Sequence, residues 1–177
     1  MIKTTIVNVV ATAVLDQKID LYELRKFREI VHDPEVYGGR VAYFKSSEMI
    51  GKVSIFASGK MISVGTKSEK DAIHELEIVK DFLVEKDFVK PTILNHKIHN
   101  IVAVIDFKQS INLEELATKY KMLYEPEQFS GCILKVEEPY KASVLIFYSG
   151  KMVVAGITSS VQINPTVRKI ADMIKSF

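Results

Sequence analysis

The order of apolar and polar positions predicts the same run of elements twice along the chain: strand, helix, antiparallel strands, helix. Residues 4–14 alternate and are rich in β-branched side chains, which is typical of a strand, and residues 96–106 repeat this pattern. Asp20 can cap a short helix over residues 20–27, and the counterpart of this helix is expected at 113–121.

Two β-hairpins follow these helices. Each is an apolar run that ends in Phe, a Ser-Gly-Lys turn whose Gly can adopt positive φ, and a second apolar run. The first hairpin is predicted over 52–65, and the second consists of strands at 143–147 and 152–156. A further strand is expected before each hairpin, at 40–45 and at 131–136.

Each half is predicted to end in an amphipathic helix. Ser68 is a suitable N-cap with Asp71 at the third position, and the apolar residues after them recur on one face. For the last helix, Asn164 and Pro165 fit the N-cap and the first helical position, yet Ile163 also fits the apolar face. This helix is therefore expected either to start late or to be kinked at Pro165.

The two halves match each other over long stretches. Ile-Phe-x-Ser-Gly-Lys-Met and a later Gly keep their spacing in both hairpins, and Asn-hydrophobic-Val-Ala occurs at 8–11 and again at 100–103. Such a match indicates duplication with a period of about 92 residues, which is too long for a solenoid unit. The first copy carries one extra residue near 46–51. We expect two homologous half-domains, 1–90 and 91–177, related by a pseudo-two-fold axis.

Both faces of the predicted sheet are apolar. In the first strand Val10 and Thr12 point to one side, whereas Val9 and Ala11 point to the other. With all four helices on one face, the other face would expose a large apolar surface, which in a soluble protein usually marks a partner site. Other segments of the chain or a second copy of it are alternative coverings.

Composition adds few constraints. A chain of 177 residues, 47% of them apolar, can bury a substantial core. Its 24 basic and 22 acidic residues leave a net charge of +2, which argues against a polycationic arm without excluding nucleic-acid binding. Cys132, the single cysteine, cannot form an internal disulfide and is interpreted as a small buried apolar residue.

No sequence pattern predicts a membrane segment, a cofactor or an enzyme. The N-terminus runs straight into a strand pattern without signal-peptide features, and the apolar runs fall short of the ~20 residues that cross a bilayer. The four His residues have no metal-ligand spacing in both halves, and the Ser-Gly-Lys turn lacks the glycines of a P-loop. A cytoplasmic protein without a metal, a cofactor or an enzyme activity is expected.

These residues resemble the TATA-binding protein family over essentially the whole chain and in both repeats. The motifs that carry the resemblance are Asn-hydrophobic-Val-Ala at 8–11 and 100–103, the Pro-centred turns at Pro34 and Pro126, and Ile-Phe-x-Ser-Gly-Lys-Met before each later Gly. Because no extension precedes the first repeat, the chain is most similar to archaeal members.

The resemblance implies an α+β fold in which two pseudo-symmetric repeats form one saddle-shaped, curved antiparallel sheet with four helices on its convex face. It also implies a TATA-box-binding transcription initiation factor that acts at the archaeal nucleoid. In the family the concave face lies on a widened minor groove of double-stranded promoter DNA, and paired Phe rings wedge between base steps at each end and kink the duplex.

The residues that the resemblance assigns to DNA fall into several classes. The two wedge pairs would be Tyr37 with Phe56, and Phe129 with Phe147. The other contacts would be the amide donors Asn8 and Asn100 for groove acceptors, the floor residues Val10, Ile62, Val102, Leu145 and Val153, and the phosphate-contacting Lys60, Lys67, Lys135 and Lys151.

The first repeat departs further from the family pattern than the second. Tyr37 replaces a Phe, Ser54 replaces a groove-facing Leu, and Tyr43 stands where a phosphate-contacting Arg is common, whereas the second repeat retains both wedge Phe residues and the Leu. Val64 and Ala155 stand where Thr is usual, which removes two groove hydrogen bonds. The resemblance therefore implies an asymmetric saddle whose second half dominates binding and whose TATA preference is relaxed or weakened.

The acidic turn of the second repeat, Glu125, Glu127 and Gln128, matches the turn through which family members receive transcription factor B. We therefore expect contact with this factor and with the RNA polymerase pre-initiation complex. The alternative is a divergent paralogue with weakened DNA binding that acts mainly as a protein-interaction module. The exposed apolar face also leaves a homodimer of the free protein open.

Overall fold

The computed structural model describes residues 2–175, which contain nine β-strands and four α-helices. The strands are β1 Lys3–Val14, β2 Ile30–Val31, β3 Val41–Phe44, β4 Lys52–Phe56, β5 Lys60–Thr66, β6 Asn95–Asp106, β7 Gly131–Val136, β8 Ala142–Phe147 and β9 Lys151–Ile157. The helices are α1 Leu21–Leu24, α2 Glu69–Glu85, α3 Leu113–Tyr120 and α4 Ile163–Lys175, with short 3-10 helices at Val36–Gly39 and Ser160–Gln162. The ends of the two predicted half-domains, Met1, Ser176 and Phe177, lie outside the described residues.

The strands form an antiparallel sheet in the order β2-β3-β4-β5-β1-β6-β9-β8-β7. The predicted α+β class, with an antiparallel sheet and four helices in the described chain, is confirmed. The chain divides into two compact units: the first unit is 8–99, and the second unit is 100–175 together with residues 2–7. The division into half-domains at residue 90 stays a prediction.

The core of the first unit lies between α2 and one face of the strands. Residues of β1, β4 and β5 alternate between fully buried and half-exposed, as the two faces of a strand require. Val9 and Ile55 on the buried face are 0% exposed, as are Leu76, Val79 and Leu83 of α2. Burying each such side chain contributes about 1.5–3 kcal/mol, so this face stabilises the unit.

Helix α2 begins as the sequence predicts. The Ser68 hydroxyl accepts a hydrogen bond from the Asp71 amide at 3.0 Å and donates one to the Asp71 carboxylate at 2.7 Å. The acidic side chains of Glu69 and Asp71 lie in the first turn, where they complement the positive end of the helix dipole. Within the described residues, no helix is long and apolar enough to cross a lipid bilayer.

Helix α1 is shorter than predicted, because it ends at Leu24 and not at Phe27. Its cap is correct: the Asp20 carboxylate accepts hydrogen bonds from the amides of the second and third helical residues. Phe27 leaves the helical path and packs edge-on against Phe82 of α2, with ring centroids 5.2 Å apart. Tertiary packing thus overrides helix periodicity here. The two-residue strand β2 was not predicted, since so short a strand has no alternation to detect.

The last helix starts earlier than the N-cap interpretation of Asn164 predicted, so that assignment is wrong. Ser159 forms a capping box with Gln162 at the preceding 3-10 helix, and α4 begins at Ile163, which is 5% exposed. Pro165 therefore lies in the first helical turn. Backbone N–H groups in that turn have no partner within the helix, so a proline is tolerated there.

A glycine in each hairpin turn touches a loop of its own unit. Gly59 has φ +88°, and an added Cβ would lie 2.2 Å from the carbonyl oxygen of Gln17. Gly150 has φ +80°, and its added Cβ would lie 2.1 Å from the carbonyl oxygen of Gln109. Both the backbone conformation and the available space therefore require glycine at these turns.

Replacing either glycine with alanine is expected to destabilise the protein. Gly59→Ala and Gly150→Ala should each lower the free energy of unfolding by about 2 kcal/mol or more, because left-handed strain adds to a backbone clash. The matched control is Gly38→Ala, which has φ +61° but no atom within 4 Å of the added Cβ. Urea denaturation should give a smaller loss for this control, and equal losses in all three variants would contradict the role of the close contact.

Candidate nucleic-acid interface

Each unit presents half-exposed apolar side chains on the sheet face that its buried residues leave free. In the first unit Val10 of β1 lies opposite Val64 of β5, and Ile62 lies opposite Ser54 of β4. In the second unit Val153 of β9 lies between Val104 of β6 and Leu145 of β8. The predicted floor residues Val10 and Ile62 thus share a face in the first unit, as Val102, Leu145 and Val153 do in the second.

A β-bulge holds Asn8 in the first unit. Val9 pairs with Thr66 and Val10 with Val64, so Gly65 is an extra residue in β5, and its φ of +98° is the conformation that a glycine bulge adopts. The Gly65 amide donates to the Asn8 side-chain oxygen at 2.8 Å. Because the carbonyl end of the Asn8 amide is used in this way, the NH₂ end is directed away from the glycine.

The second unit repeats this arrangement. Ile101 pairs with Ile157 and Ala103 with Val154, which leaves one extra residue in β9, and Gly156 has φ +92°. The Gly156 amide donates to the Asn100 side-chain oxygen at 2.7 Å. Within the described residues, neither asparagine NH₂ group has a protein acceptor, so each unit offers the two N–H donors of one side-chain amide.

An aromatic pair stands at one end of the second unit. The rings of Phe129 and Phe147 meet edge to face, with centroids 5.7 Å apart and planes at 67°. Gly131 lies directly opposite Phe147 in the β7–β8 ladder. A Cβ at Gly131 would lie 2.9 Å from Phe129 Cε1 and 3.2 Å from Phe147 Cε1, so the pair occupies the space that a side chain would fill.

The first unit does not bring its two predicted wedge residues together. Phe56 lies opposite Val41, and Tyr37, 71% exposed with φ 51°, lies in the 3-10 helix Val36–Gly39. Within the described residues, no ring contact joins Tyr37 to Phe56. In the second unit Phe129 lies two residues before Gly131, the residue opposite Phe147. In the first unit the residue two positions before Val41, which is opposite Phe56, is Gly39.

The cause is a shift in register between the two copies. By sequence spacing Gly39 corresponds to Gly131, yet Val41 is the residue that faces Phe56. The first copy has one extra residue in the loop at 46–51, and a slip of one residue would turn every side chain of β3 to the wrong face. A shift of two residues leaves every side chain of β3 on its original face, and the observed ladder is shifted by two.

The predicted phosphate contacts differ in their surroundings. Lys60, Lys67 and Lys151 are exposed, and in the described chain no hydrogen bond or ion pair engages the ammonium groups of Lys60 and Lys67. The ammonium of Lys135 donates to the Ser143 hydroxyl across the β7–β8 ladder. Lys151 lies opposite Asp106 in the β6–β9 ladder, and hydrogen bonding to Lys108 is the chief cause that lowers the pKa of Asp106.

Sequence reasoning missed Lys52 as a residue of this face. Its ammonium lies 4.8 Å above the ring of Tyr43, a cation–π contact, and Tyr43 lies opposite Ser54. Both line an apolar hollow of about 630 Å³, together with Asn8, Val31 and Val64. Period-two spacing with Ser54 and Phe56 was the signal that could have placed Lys52 here, because residues i and i+2 share a face.

The loop beside this hollow is held from two sides. The Lys45 ammonium donates to the carbonyl oxygens of Met49, Ile50 and Gly51 at 2.8, 2.7 and 2.5 Å. Glu75 of α2, only 2% exposed, accepts a hydrogen bond from the Gly51 amide at 2.7 Å. The loop at 46–51 is therefore fixed to the helix and to its own strand.

The acidic turn of the second unit is exposed and ordered by its backbone. The amides of Gln128 and Phe129 both donate to the Glu125 carbonyl oxygen at 2.9 Å. The side chains of Glu125, Glu127 and Gln128 are exposed beside the aromatic pair. Cys132, in the neighbouring strand, is 0% exposed as predicted, and burial raises the pKa of its thiol.

Asn100 is expected to stabilise the second unit through its oxygen alone. Asn100→Ala leaves the bulge amide of Gly156 without its acceptor and should lower the free energy of unfolding by about 1 kcal/mol. Asn100→Asp retains an acceptor oxygen and should lose clearly less. Urea denaturation of both variants measures this difference, and an aspartate variant as unstable as the alanine variant would contradict the assigned hydrogen bond.

The chain is similar to known proteins over nearly its whole length. Residues 3–85 and 95–177 each match the family model described as transcription factor TFIID, or TATA-binding protein. The chain is 37% identical over 173 residues to a TATA-box-binding protein of Aeropyrum pernix, covering 95% of this chain and 82% of that protein. It is 35% identical over 155 residues to one of Cenarchaeum symbiosum, covering 87% of this chain and 84% of that protein.

A solved structure, Methanococcus jannaschii TBP, has the same fold. It superposes with a TM-score of 0.86 at 31% sequence identity, and the match covers 99% of both chains.

Proposed function

The chain belongs to the TATA-binding protein family, and on that premise we propose that it binds the TATA box through the minor groove, bends the duplex and recruits transcription factor B. The family is one of DNA-binding general transcription factors and not of enzymes. The observation that carries the proposal is the bulge-held asparagine, which recurs in both units at the same place.

The asparagines suit the minor groove because of the end of the amide that they leave free. The minor groove presents adenine N3 and thymine O2, both acceptors, at every A·T pair. The side-chain oxygens of Asn8 and Asn100 accept hydrogen bonds from the amides of Gly65 and Gly156, so their NH₂ groups remain to donate to those base acceptors. The half-exposed apolar floor around them then lies against the sugars and base edges. Because this contact is apolar, a net charge of only +2 suffices for binding DNA in this proposal.

Bending is supported by the ring pair of the second unit. Apolar side chains that insert between base steps unstack them and kink the duplex, and the larger contact surface offsets the cost of unstacking. The rings of Phe129 and Phe147 pack edge to face, and in this proposal they insert together as such a wedge. Lys60, Lys67, Lys135 and Lys151 contact phosphates in this proposal, which positions the protein without reading sequence.

Changing the asparagines to aspartate should weaken DNA binding without unfolding the protein. Asn8→Asp and Asn100→Asp keep an acceptor for the bulge glycine but replace the NH₂ donors with an anionic oxygen, so affinity for a TATA duplex should fall about tenfold or more. Gel shift at one stated salt concentration measures the change. The matched control is Asn95→Asp, which adds the same charge at an exposed position at the start of β6. An equal loss in the control would contradict groove contact by the asparagines.

The acidic turn at Glu125 and Glu127 is proposed to receive transcription factor B, and through it the RNA polymerase pre-initiation complex. Glu125 and Glu127 are exposed, and they lie just before Phe129 of the aromatic pair in the sequence. A basic surface of a partner that straddles protein and DNA can therefore contact both at once.

Charge reversal at this turn should separate the two activities. Glu125→Lys combined with Glu127→Lys should keep the binary complex with a TATA duplex and lose the ternary complex with transcription factor B in gel shift. The control is Glu35→Lys in the corresponding turn of the first unit, where Asp33 holds the Glu35 amide at 2.9 Å. Loss of the ternary complex in this control, or its persistence in the double variant, would refute the assignment.

The alternative function, a paralogue that acts mainly as a protein-interaction module, is not favoured, because the likeness to TATA-box-binding proteins extends over both repeats. Self-association of the free protein stays a prediction that follows from its half-exposed apolar face, and residence at the nucleoid stays a prediction that follows from the proposed DNA contact.

A further inference from the structure

We infer that this protein kinks DNA at one end of its site only, with the Phe129–Phe147 wedge of the second unit, and that the first unit contacts the duplex without inserting a ring pair. The inference rests on the proposed function, since it concerns how that DNA contact is made. Its basis is the register of β3 on β4 compared with that of β7 on β8.

In an antiparallel ladder, residues directly opposite one another project from the same face and lie side by side. In the second unit the residue beside Phe147 is Gly131, and the ring of Phe129 occupies the space above that glycine. The wedge therefore needs two conditions: a residue without a side chain opposite the strand Phe, and an aromatic ring two residues before it.

The first unit meets neither condition. Val41, half-buried, lies opposite Phe56, so the first unit has a side chain in the ladder position that Gly131 holds in the second unit. The residue two positions before Val41 is Gly39, which has no ring to offer. Tyr37 lies two residues before Gly39, in a 3-10 helix where its backbone is left-handed.

The surface next to Phe56 is also unlike a wedge. Where the second unit has Ile133 opposite Leu145, the first has Tyr43 opposite Ser54, with Lys52 stacked on the tyrosine above the apolar hollow. A single ring recovers less of the lost base stacking than two rings do. We therefore assign this end a contact with sugars and phosphates of a duplex that stays stacked.

Fluorescence energy transfer across a TATA duplex labelled at both ends tests the inference, with protein at saturation. Phe147→Ala and Phe129→Ala should each abolish the bend-dependent transfer, whereas Phe56→Ala and Tyr37→Ala should leave it within error. Each comparison measures how much of the total bend a variant removes, so the result is the same for either orientation of the protein on the duplex. If Phe56→Ala or Tyr37→Ala removes about half of the bend and Phe147→Ala the other half, two kinks are present and the inference is overturned.

A second pair of variants tests the register argument itself. Gly131→Val gives the second unit the residue type that the first has at Val41, and it should lose the bend as Phe147→Ala does. Val41→Gly should leave the bend unchanged, because no ring stands in position to fill the vacated space. Thermal unfolding checks that Gly131→Val is folded, and the Phe129→Ala result decides the matter if it is not.

Absence of any gel shift with the unaltered protein would overturn the proposed function together with the inference, whereas a two-part bend overturns the inference alone.

Discussion

Burial of a single face of the strands is the constraint on which the rest of this structure depends. In the first unit the residues that face α2 are fully excluded from solvent, and those that alternate with them are half-exposed. Because the buried face stabilises the fold, the other face is free to keep apolar residues that would be unfavourable on an ordinary surface. Among its polar residues, Asn8 and Asn100 are each held by the backbone amide of a bulge glycine.

The bulge connects these two roles of the sheet. A bulge leaves one amide of the ladder without a strand partner, which by itself weakens the sheet. The asparagine side chain satisfies that amide and is oriented by it at the same time. One hydrogen bond thus satisfies the bulge amide and also orients the NH₂ group toward a ligand. An aspartate at this position would still accept from the bulge amide but would have no NH₂ donors.

Elements whose signal is local were predicted from the sequence, whereas features set by pairing between distant segments were not. The hairpin strands and the Ser68 cap follow from alternation, turn residues and capping chemistry within a few positions. The early end of α1 depends on the contact of Phe27 with Phe82, which no local pattern records. Likewise, both asparagines and both later glycines were noticed, but the bond between them required the register of two strands far apart in sequence.

The most consequential miss was the difference in register between β3–β4 and β7–β8, because aligned residues were assumed to occupy equivalent places. That difference has a further consequence for how the two copies can change. The loop at 46–51 is fixed by Lys45 and Glu75, and a Cβ at Gly51 would lie 2.3 Å from the Val64 carbonyl oxygen, so these contacts hold the present register of the ladder. The loss of symmetry therefore resides in the main chain, and the substitution Tyr37→Phe would restore the family residue without restoring the ring pair. A return of the first unit to the arrangement of the second therefore calls for a change in chain length at this loop, which is where the two copies differ in length.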